Sequence, residues 1–452
     1  MKESPRRLAV EILDRVEKEG FFAEPLLNSR LEARPLAGPD RAMLTMLVYG
    51  TLRMRGRLDW TIRNCYKGKF EKMETGILNI LRTALYQVHF MDRVPDFAAV
   101  SEAVEVAKHL FPGRERLVNA ILRKSLKDRG AIDYPDYGKD PALFISVFHS
   151  HPLWLVEKFI SVFGLDGALS LCRANNEMPP VTLRVNTLKS DRGRVIAEFS
   201  SAGFAAEPTQ FSPDGVNIDS GDIRDLPAYR EGAVIFQDEA SQLISVLAGP
   251  REGDAVLDLC AGSGVKTTHL GEIMKDRGRI LAVDVNPGKL KALGRLAGRH
   301  GVDIIECRAA DAASDLGRDH HKKFDLVLID APCSGTGTLR RNPEIKWRLT
   351  PAEVEKLSRL QREIIRTAPA YLKQNGAIFY STCSVLPDEN ENVINDFCAE
   401  FPSFNPGRPR RVHGNLVDNS GCFRTSPWEH GMDGFFGVLL EKKHGPAARR
   451  PD

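Results

Sequence analysis

The chain has no apolar run approaching the roughly 18 residues that mark a membrane span. Its first residues, MKESPRRLAVEILD, contain no apolar stretch of the signal-peptide kind. The eight cysteines, at 65, 172, 260, 307, 333, 383, 398 and 422, never form a C-x-x-C pair, and no histidine cluster lies beside them. That scatter argues against a zinc site and against a disulfide framework, and it fits a reducing compartment. No internal repeat or low-complexity tract is visible. A content of 42% hydrophobic and 27% charged residues excludes disordered, collagen-like and coiled-coil chains. The expectation is a soluble, cytoplasmic protein with no membrane segment and no metal, acting as a monomer. At 452 residues the chain predicts two or three domains.

What is present begins with uneven charge. The net charge is +3, yet residues 1–130 hold 24 basic against 17 acidic residues, and the remainder is net negative. A basic N-terminal third is compatible with a polyanionic partner and also with a merely solvated surface. Throughout 5–129 apolar residues recur at helix spacing, as in Leu8, Ala9, Ile12, Leu13 and Val16, and again in Ile77, Leu78, Leu81, Leu85 and Val88. The pattern predicts an all-α bundle over residues 1–135, with Arg53, Arg55, Arg57, Lys67 and Lys69 as a candidate phosphate-binding cluster. The stretch GAIDYPDYGKD (130–140) has linker composition.

Residues 141–240 read as a small α+β subdomain, with a helix starting near Trp154 and strands at VTLRV (181–185) and GAVIF (232–236). Beyond 253 short apolar runs alternate with amphipathic helices. AVLDL (255–259), RILAVD (279–284), FDLVLID (324–330) and GAIFYST (376–382) are strands, and helices fall near 266–275, 287–300 and 351–373. Such alternation predicts an α/β domain over 241–445, a mostly parallel sheet with helices on both faces.

Ligands of such sheets sit beyond the carboxyl ends of the strands. The first strand runs into Cys260-Ala261-Gly262-Ser263-Gly264-Val265-Lys266, a small-residue turn that lets backbone approach a ligand closely. The second ends about twenty residues later at Asp284, which could accept from ribose hydroxyls or cap the helix that begins at Pro287. Asp311 could read an adenine edge or cap a turn. Together these three features point to a nucleoside cofactor without separating nicotinamide from S-adenosylmethionine. The next two strands end in Asp330-Ala-Pro-Cys333-Ser-Gly-Thr-Gly and Ser381-Thr-Cys383-Ser, which brings two thiols toward one cleft. A thiolate there has a chemical use. Carbon 5 of cytosine becomes nucleophilic only after a nucleophile adds at carbon 6. Lys346 or a helix N-terminus is a candidate for favouring that thiolate.

DAPCSGTG with YSTCS resembles the signature of the RNA (cytosine-5) methyltransferases that use two cysteines, most nearly the RsmB (Sun/Fmu) family of bacterial 16S rRNA enzymes. LRVNT (183–187), FQDEASQL (236–243), RRNPEIKWR (340–348) and GMDGFFGVLLEK (431–442) resemble further motifs of that family, and the N-terminal bundle resembles its NusB-like RNA-binding domain. The resemblance implies a Rossmann-like methyltransferase domain, S-adenosylmethionine as cofactor and 16S rRNA as partner, with methylation at the site typified by cytosine 967. It implies Cys383 as nucleophile, Cys333 as the residue assisting product release, and Asp330 in contact with cofactor and target base. Residues 260–266, Asp284 and Asp311 would hold the cofactor. The family turn usually reads CAAPGGK. Here Val265 stands where a glycine is usual, and a β-branched residue disfavours positive φ. A tRNA or 23S rRNA target, or a non-catalytic NusB-like RNA-binding factor, are the alternatives.

Overall fold

A computed structural model describes residues 4–33, 35–219, 223–409 and 416–442. Two compact units emerge: residues up to Met178 joined by Leu339–Leu349, and Pro179–Thr338 joined by the chain from Thr350 onward.

The first unit is helical. Its principal helices are Pro5–Glu19, Ala23–Ala33, Gly38–Cys65, Thr75–Phe90, Asp96–Leu110, Glu115–Lys127, Pro141–Phe148 and Leu153–Ala174. The apolar stripes read from the sequence form its core, where Leu58, Ile62, Leu81, Leu85 and Leu122 pack in one cluster and Leu8, Leu13, Leu44 and Leu47 in another. Pro5 opens the first helix, and Gly20 closes it with φ 73°, a conformation that suits glycine. The segment 130–136 carries neither helix nor strand and is laid along the bundle, with the Trp60 indole donating to the Asp133 carbonyl at 2.9 Å.

The expected basic cluster is corrected here. Arg53 is 8% exposed and donates to the Arg340 carbonyl at 3.0 Å. Arg55 pairs with Glu17 at 2.6 Å, and Arg57 lies 4.0 Å from the Phe148 ring centroid and also covers Tyr134. Residues two apart point to opposite sides of a helix, and this 28-residue helix has neighbours on several sides, so the three cannot share one solvent face. Lys67 and Lys69, past the helix end, are exposed.

The second unit holds two sheets. Strands β1 (Val181–Val185), β2 (Ala206–Pro208), β3 (Gly215–Ile218) and β4 (Val234–Phe236) form a small antiparallel sheet in the order β2-β3-β1-β4. Val195 and Phe199 of the helix Arg192–Ser201 join its core. The large sheet contains β5 (Ala255–Asp258), β6 (Arg279–Asp284), β7 (Ile305–Ala309), β8 (Phe324–Asp330), β9 (Leu372–Thr382), β10 (Phe404–Gly407), β11 (Cys422–Arg424) and β12 (Phe436–Lys442). Its order is β10-β12-β9-β8-β5-β6-β7, with β11 also on β12. The pairs among β5–β9 are parallel, while β12 runs antiparallel to β9.

Both faces of the large sheet are buried, so its central strands read as continuous apolar runs. Leu257, Val327, Ile329 and Tyr380 point into one core, and Val256, Leu326, Leu328 and Phe379 into the other. Several short strands have no such signal: β7 is exposed along most of its length, and β2 and β11 span three residues each. Strand order reverses between β5 and β8, which opens a crevice at their carboxyl ends.

Candidate active site

The carboxyl ends of β5 to β9 lie along that edge of the sheet. The turn after β5 places its left-handed residues at Gly262 (φ 56°) and Gly264 (φ 91°), and Val265 is the first residue of the helix Val265–Ile273. Positive φ therefore falls on glycines, and the valine sits where a β-branched side chain is tolerated. The Val265 carbonyl accepts from buried Arg184 of the LRVNT motif at 2.7 Å, and the same guanidinium pairs with Glu272 at 2.9 Å. Asp284, at the end of β6, accepts from Gly262 N–H at 3.0 Å and from Asn286 N–H at 2.7 Å. Asn286, and not Asp284, caps the following helix. Asp311 is exposed, two residues beyond the β7 partner of Asp284, and its carboxylate accepts from Ala313 N–H at 2.9 Å. Cys260 is partly buried, and Ser263 is exposed.

At the ends of β8 and β9 the two sulfurs of Cys333 and Cys383 lie 3.2 Å apart. The hydrogen shared with Cys383, then burial, then the charges of Cys383 and Glu389 push the Cys333 thiol well above its ordinary pKa. Either sulfur can donate to the other. Beside them the Lys266 ammonium meets the Asp330 carboxylate at 2.6 Å, and the other oxygen of Asp330 accepts from the Ser381 hydroxyl at 3.0 Å. Burial alone would lower the pKa of Lys266, but Asp330, with help from Cys383 and Asp258, raises it instead. Asp258 is fully buried under this pair and accepts from the Thr267 hydroxyl at 2.7 Å. Burial pushes its carboxyl up to about 7.

Lys346 does not serve the thiols. It is buried in the first unit, where its ammonium donates to the carbonyls of Arg53 and Ser150 and to Asn176 Oδ1 at 3.0–3.1 Å. Lys266 is the cation whose charge acts on Cys383.

Several supporting residues escaped the sequence reading. Glu389 is fully buried and accepts from Ser334 N–H at 2.7 Å, from the Ser334 hydroxyl at 2.5 Å and from Gln361 at 3.1 Å, fixing the loop that carries Cys333. Its neighbour Asn390 accepts from the Thr382 hydroxyl at 2.5 Å and donates to the Ser384 carbonyl at 2.9 Å, fixing the strand end that carries Cys383. Two adjacent polar residues thus clamp both thiol loops. The only sequence sign was a polar run, PDENEN, two residues after the YSTCS motif. Gly337 and Gly434 close the same region: Gly434 N–H donates to the Gly337 carbonyl at 2.8 Å, and a Cβ on Gly337 would lie 1.8 Å from the Gly434 oxygen. Among the described residues no three His, Cys, Asp or Glu side chains gather as metal ligands, and no helix is long and apolar enough to cross a membrane.

A parallel sheet of five strands extended on one side by antiparallel pairing to β12, with a glycine turn after its first strand and an acidic residue ending its second, is the architecture of S-adenosylmethionine-dependent methyltransferases. Family comparison agrees. Residues 245–441 match the 16S rRNA methyltransferase RsmB/F family, residues 3–127 the NusB family, and residues 151–223 the ferredoxin-like domain of RsmF/B-like methyltransferases. The probable ribosomal RNA small subunit methyltransferase B of Bacillus subtilis is 33% identical, with 98% of this chain and 99% of that protein aligned. Ribosomal RNA small subunit methyltransferase B of Pseudomonas putida is 35% identical over 83% of this chain and 85% of its own. Among solved structures, PH0851 superposes with a TM-score of 0.82 at 28% identity, covering 98% of this chain and all of that one. NSun6 from Pyrococcus horikoshii, solved with the S-adenosylmethionine analogue SFG, shares the fold over 66% of this chain and all of its own, at TM-score 0.59 and 20% identity. The chain belongs to the RsmB/F family of rRNA methyltransferases and is S-adenosylmethionine-dependent.

Proposed function

We propose that this chain methylates carbon 5 of a cytosine in 16S rRNA, the site typified by cytosine 967, through a covalent bond between Cys383 and carbon 6 of the base. The supporting observation is the pair of sulfurs 3.2 Å apart beside the Lys266–Asp330 ion pair. Relatives named for the small-subunit ribosomal RNA support the choice of substrate.

When bound, S-adenosylmethionine supplies an electrophilic methyl group. The residues of the crevice fit it. No atom lies within 4 Å of where a Cβ on Gly262 would project, so the turn presents open space. Each Asp284 oxygen takes one backbone N–H and keeps capacity for a ribose hydroxyl. Val285, beside it, is 74% exposed and offers an apolar face to an adenine. Gly262 and Asp284 are assigned to the cofactor on these grounds, and the family resemblance extends the assignment to the rest of 260–266, Asp311 and Asp330.

The Cys383 sulfur adds to carbon 6 of a base drawn out of its stack, and the displaced electron pair makes carbon 5 nucleophilic. Lys266 stabilises the charge at this sulfur before attack. Once Cys383 is bonded to carbon, the shared hydrogen and the charge that held the proton on Cys333 are gone, so Cys333 releases it to solvent more readily. The Cys333 thiolate then takes the proton of methylated carbon 5, the 5,6 double bond re-forms, and Cys383 leaves as thiolate. Cys383→Ala should abolish both methyl transfer and any protein–RNA adduct. Cys333→Ala should transfer methyl once and accumulate a denaturant-resistant complex with RNA. An adduct only in Cys383→Ala would reverse the two roles, and methylation without adduct in either variant would overturn the covalent route. Mapping 5-methylcytosine in ribosomal RNA from cells with and without the protein tests the target.

A further inference from the structure

Two motifs of the sequence, LRVNT (183–187) and FQDEASQL (236–243), have no part in the chemistry proposed above, yet both converge on the cofactor turn through one side chain. Arg184 is fully buried, a state that arginine rarely adopts unless its donors are used. Its guanidinium meets the Glu272 carboxylate twice, at 2.9 and 3.2 Å, and donates to the Thr268 hydroxyl at 3.2 Å. The remaining nitrogen donates to Gln237 Oε1 and to the Val265 carbonyl, the latter at 2.7 Å. Burial would raise the pKa of Glu272, but Arg184 and then the His300 hydrogen bond bring it below its ordinary range. One guanidinium thus ties β1, the residue after β4 and the helix Val265–Ile273 together.

A buried ion pair adds little net stability over apolar packing, so stability alone does not account for a guanidinium there. What the contact fixes is a position. The Val265 carbonyl and the Lys266 N–H belong to one planar peptide unit, so a hold on that carbonyl is a hold on the backbone of Lys266. The helix starts without a capping side chain, because its N-cap is Gly264 at φ 91°, and helix ends without such partners fray. Lys266 stands in that first turn and reaches the thiol site on a long, flexible stem. From there the contacts run on to the nucleophile. The Lys266 ammonium meets Asp330 at 2.6 Å, and Asp330 accepts from the Ser381 hydroxyl, two residues before Cys383. We propose that Arg184 is a positioning residue of the methyl-transfer site, acting through Lys266 to set the reactivity of Cys383.

The inference rests on the reading of Cys383 as the attacking thiol, but its test needs neither RNA nor S-adenosylmethionine. Iodoacetamide alkylates the thiolate, and its rate at Cys383 is read by mass spectrometry on the peptide that carries this residue. Arg184→Met alone would strand Glu272 as a buried charge, so it is combined with Glu272→Gln, which keeps an acceptor for His300. In the full chain this double variant should slow alkylation of Cys383 about tenfold at neutral pH. Lys266→Met should slow it at least as far, and adding the double variant to Lys266→Met should slow it no further, within about twofold. That non-additivity marks an effect carried by Lys266, because a general loosening of the fold would act in both backgrounds. A fall beyond that in the triple variant overturns the proposal, as does an unchanged or faster rate in Arg184→Met/Glu272→Gln. If the double variant does not melt cooperatively, Arg184→Lys replaces it. A single ammonium answers Glu272 without the fork that also reaches Val265, and the same cycle with Lys266→Met decides. Alkylation that follows the expected pattern in a chain that transfers no methyl to RNA upholds the positioning role and refutes the methylation reading instead.

Discussion

Glu389 touches no substrate in the proposed mechanism, yet its removal should be felt at one particular step. Glu389→Ala strips three donors of their acceptor at once: Ser334 N–H, the Ser334 hydroxyl and Gln361. The hydroxyl can turn to Thr336 or Ser384, at 3.2 and 3.3 Å, but the backbone N–H has no other partner among the described residues and stays buried. Leaving such a group unpaired costs about 1–3 kcal/mol, and losing charge-assisted bonds raises the total to roughly 3–5 kcal/mol. Ser334 adjoins Cys333, so the freed loop moves the thiol that acts after methyl transfer. A displacement of about 1 Å can cost on the order of 100-fold in rate. Multiple turnover should therefore fall far more than the first methyl transfer, with adduct accumulating as in Cys333→Ala. Glu389→Gln retains an acceptor for the backbone N–H, and its loss should stay near about 1 kcal/mol. Single-turnover and steady-state transfer of labelled methyl, read beside thermal melting, separate these effects. Wild-type melting and turnover in Glu389→Ala would refute the clamp.

Asn390→Ala frees the other strand end, so it should slow the first transfer itself, measured in a single turnover, without accumulating adduct. Asp284→Ala should weaken S-adenosylmethionine by about 1.5–3 kcal/mol for each charge-assisted bond removed, and unchanged calorimetric affinity would refute its assignment. Gly337→Ala would drive a Cβ into the Gly434 oxygen and should destabilise the second unit by about 3 kcal/mol or more, visible as a lowered denaturation midpoint. Asp258 carries a native pKa of about 7, above its unfolded value, so the native state holds an extra proton between about pH 4 and 7. Stability should fall as pH rises through that window, by at most about 4 kcal/mol, and Asp258→Asn should flatten the dependence of melting on pH.

The regular parts of this fold were legible because period reports burial. β1, β6 and β8 match the strands read from the sequence to the residue, and the centres of β6 (ILAV) and β8 (LVLI) are uninterrupted apolar runs because both faces of their sheet are covered. The helix Pro287–His300 was equally plain, opened by a proline and closed by Gly301 at φ 70°. The strands at 206–208, 305–309 and 422–424 were not, because short or exposed strands take their shape from neighbours and not from their own pattern. The arginines at 53, 55 and 57 show the same limit in charge. Composition counts positive groups but does not say which of them are already used inside a bundle.

Sequence alone determined the chemistry on offer: two cysteines, each placed just past an apolar strand, an aspartate ending β8, and a small-residue turn after β5. Local order sets these, since a strand must end where its apolar run stops and its terminal residues must then face the crevice. Tertiary structure decided which groups meet. The 3.2 Å between Cys333 and Cys383, the choice of Lys266 over Lys346 as the neighbouring cation, and the hold of Glu389 on Ser334 all join residues tens of positions apart. Contacts of that kind depend on the order of strands in the sheet and on the packing of side chains across it, and no spacing along the chain encodes either.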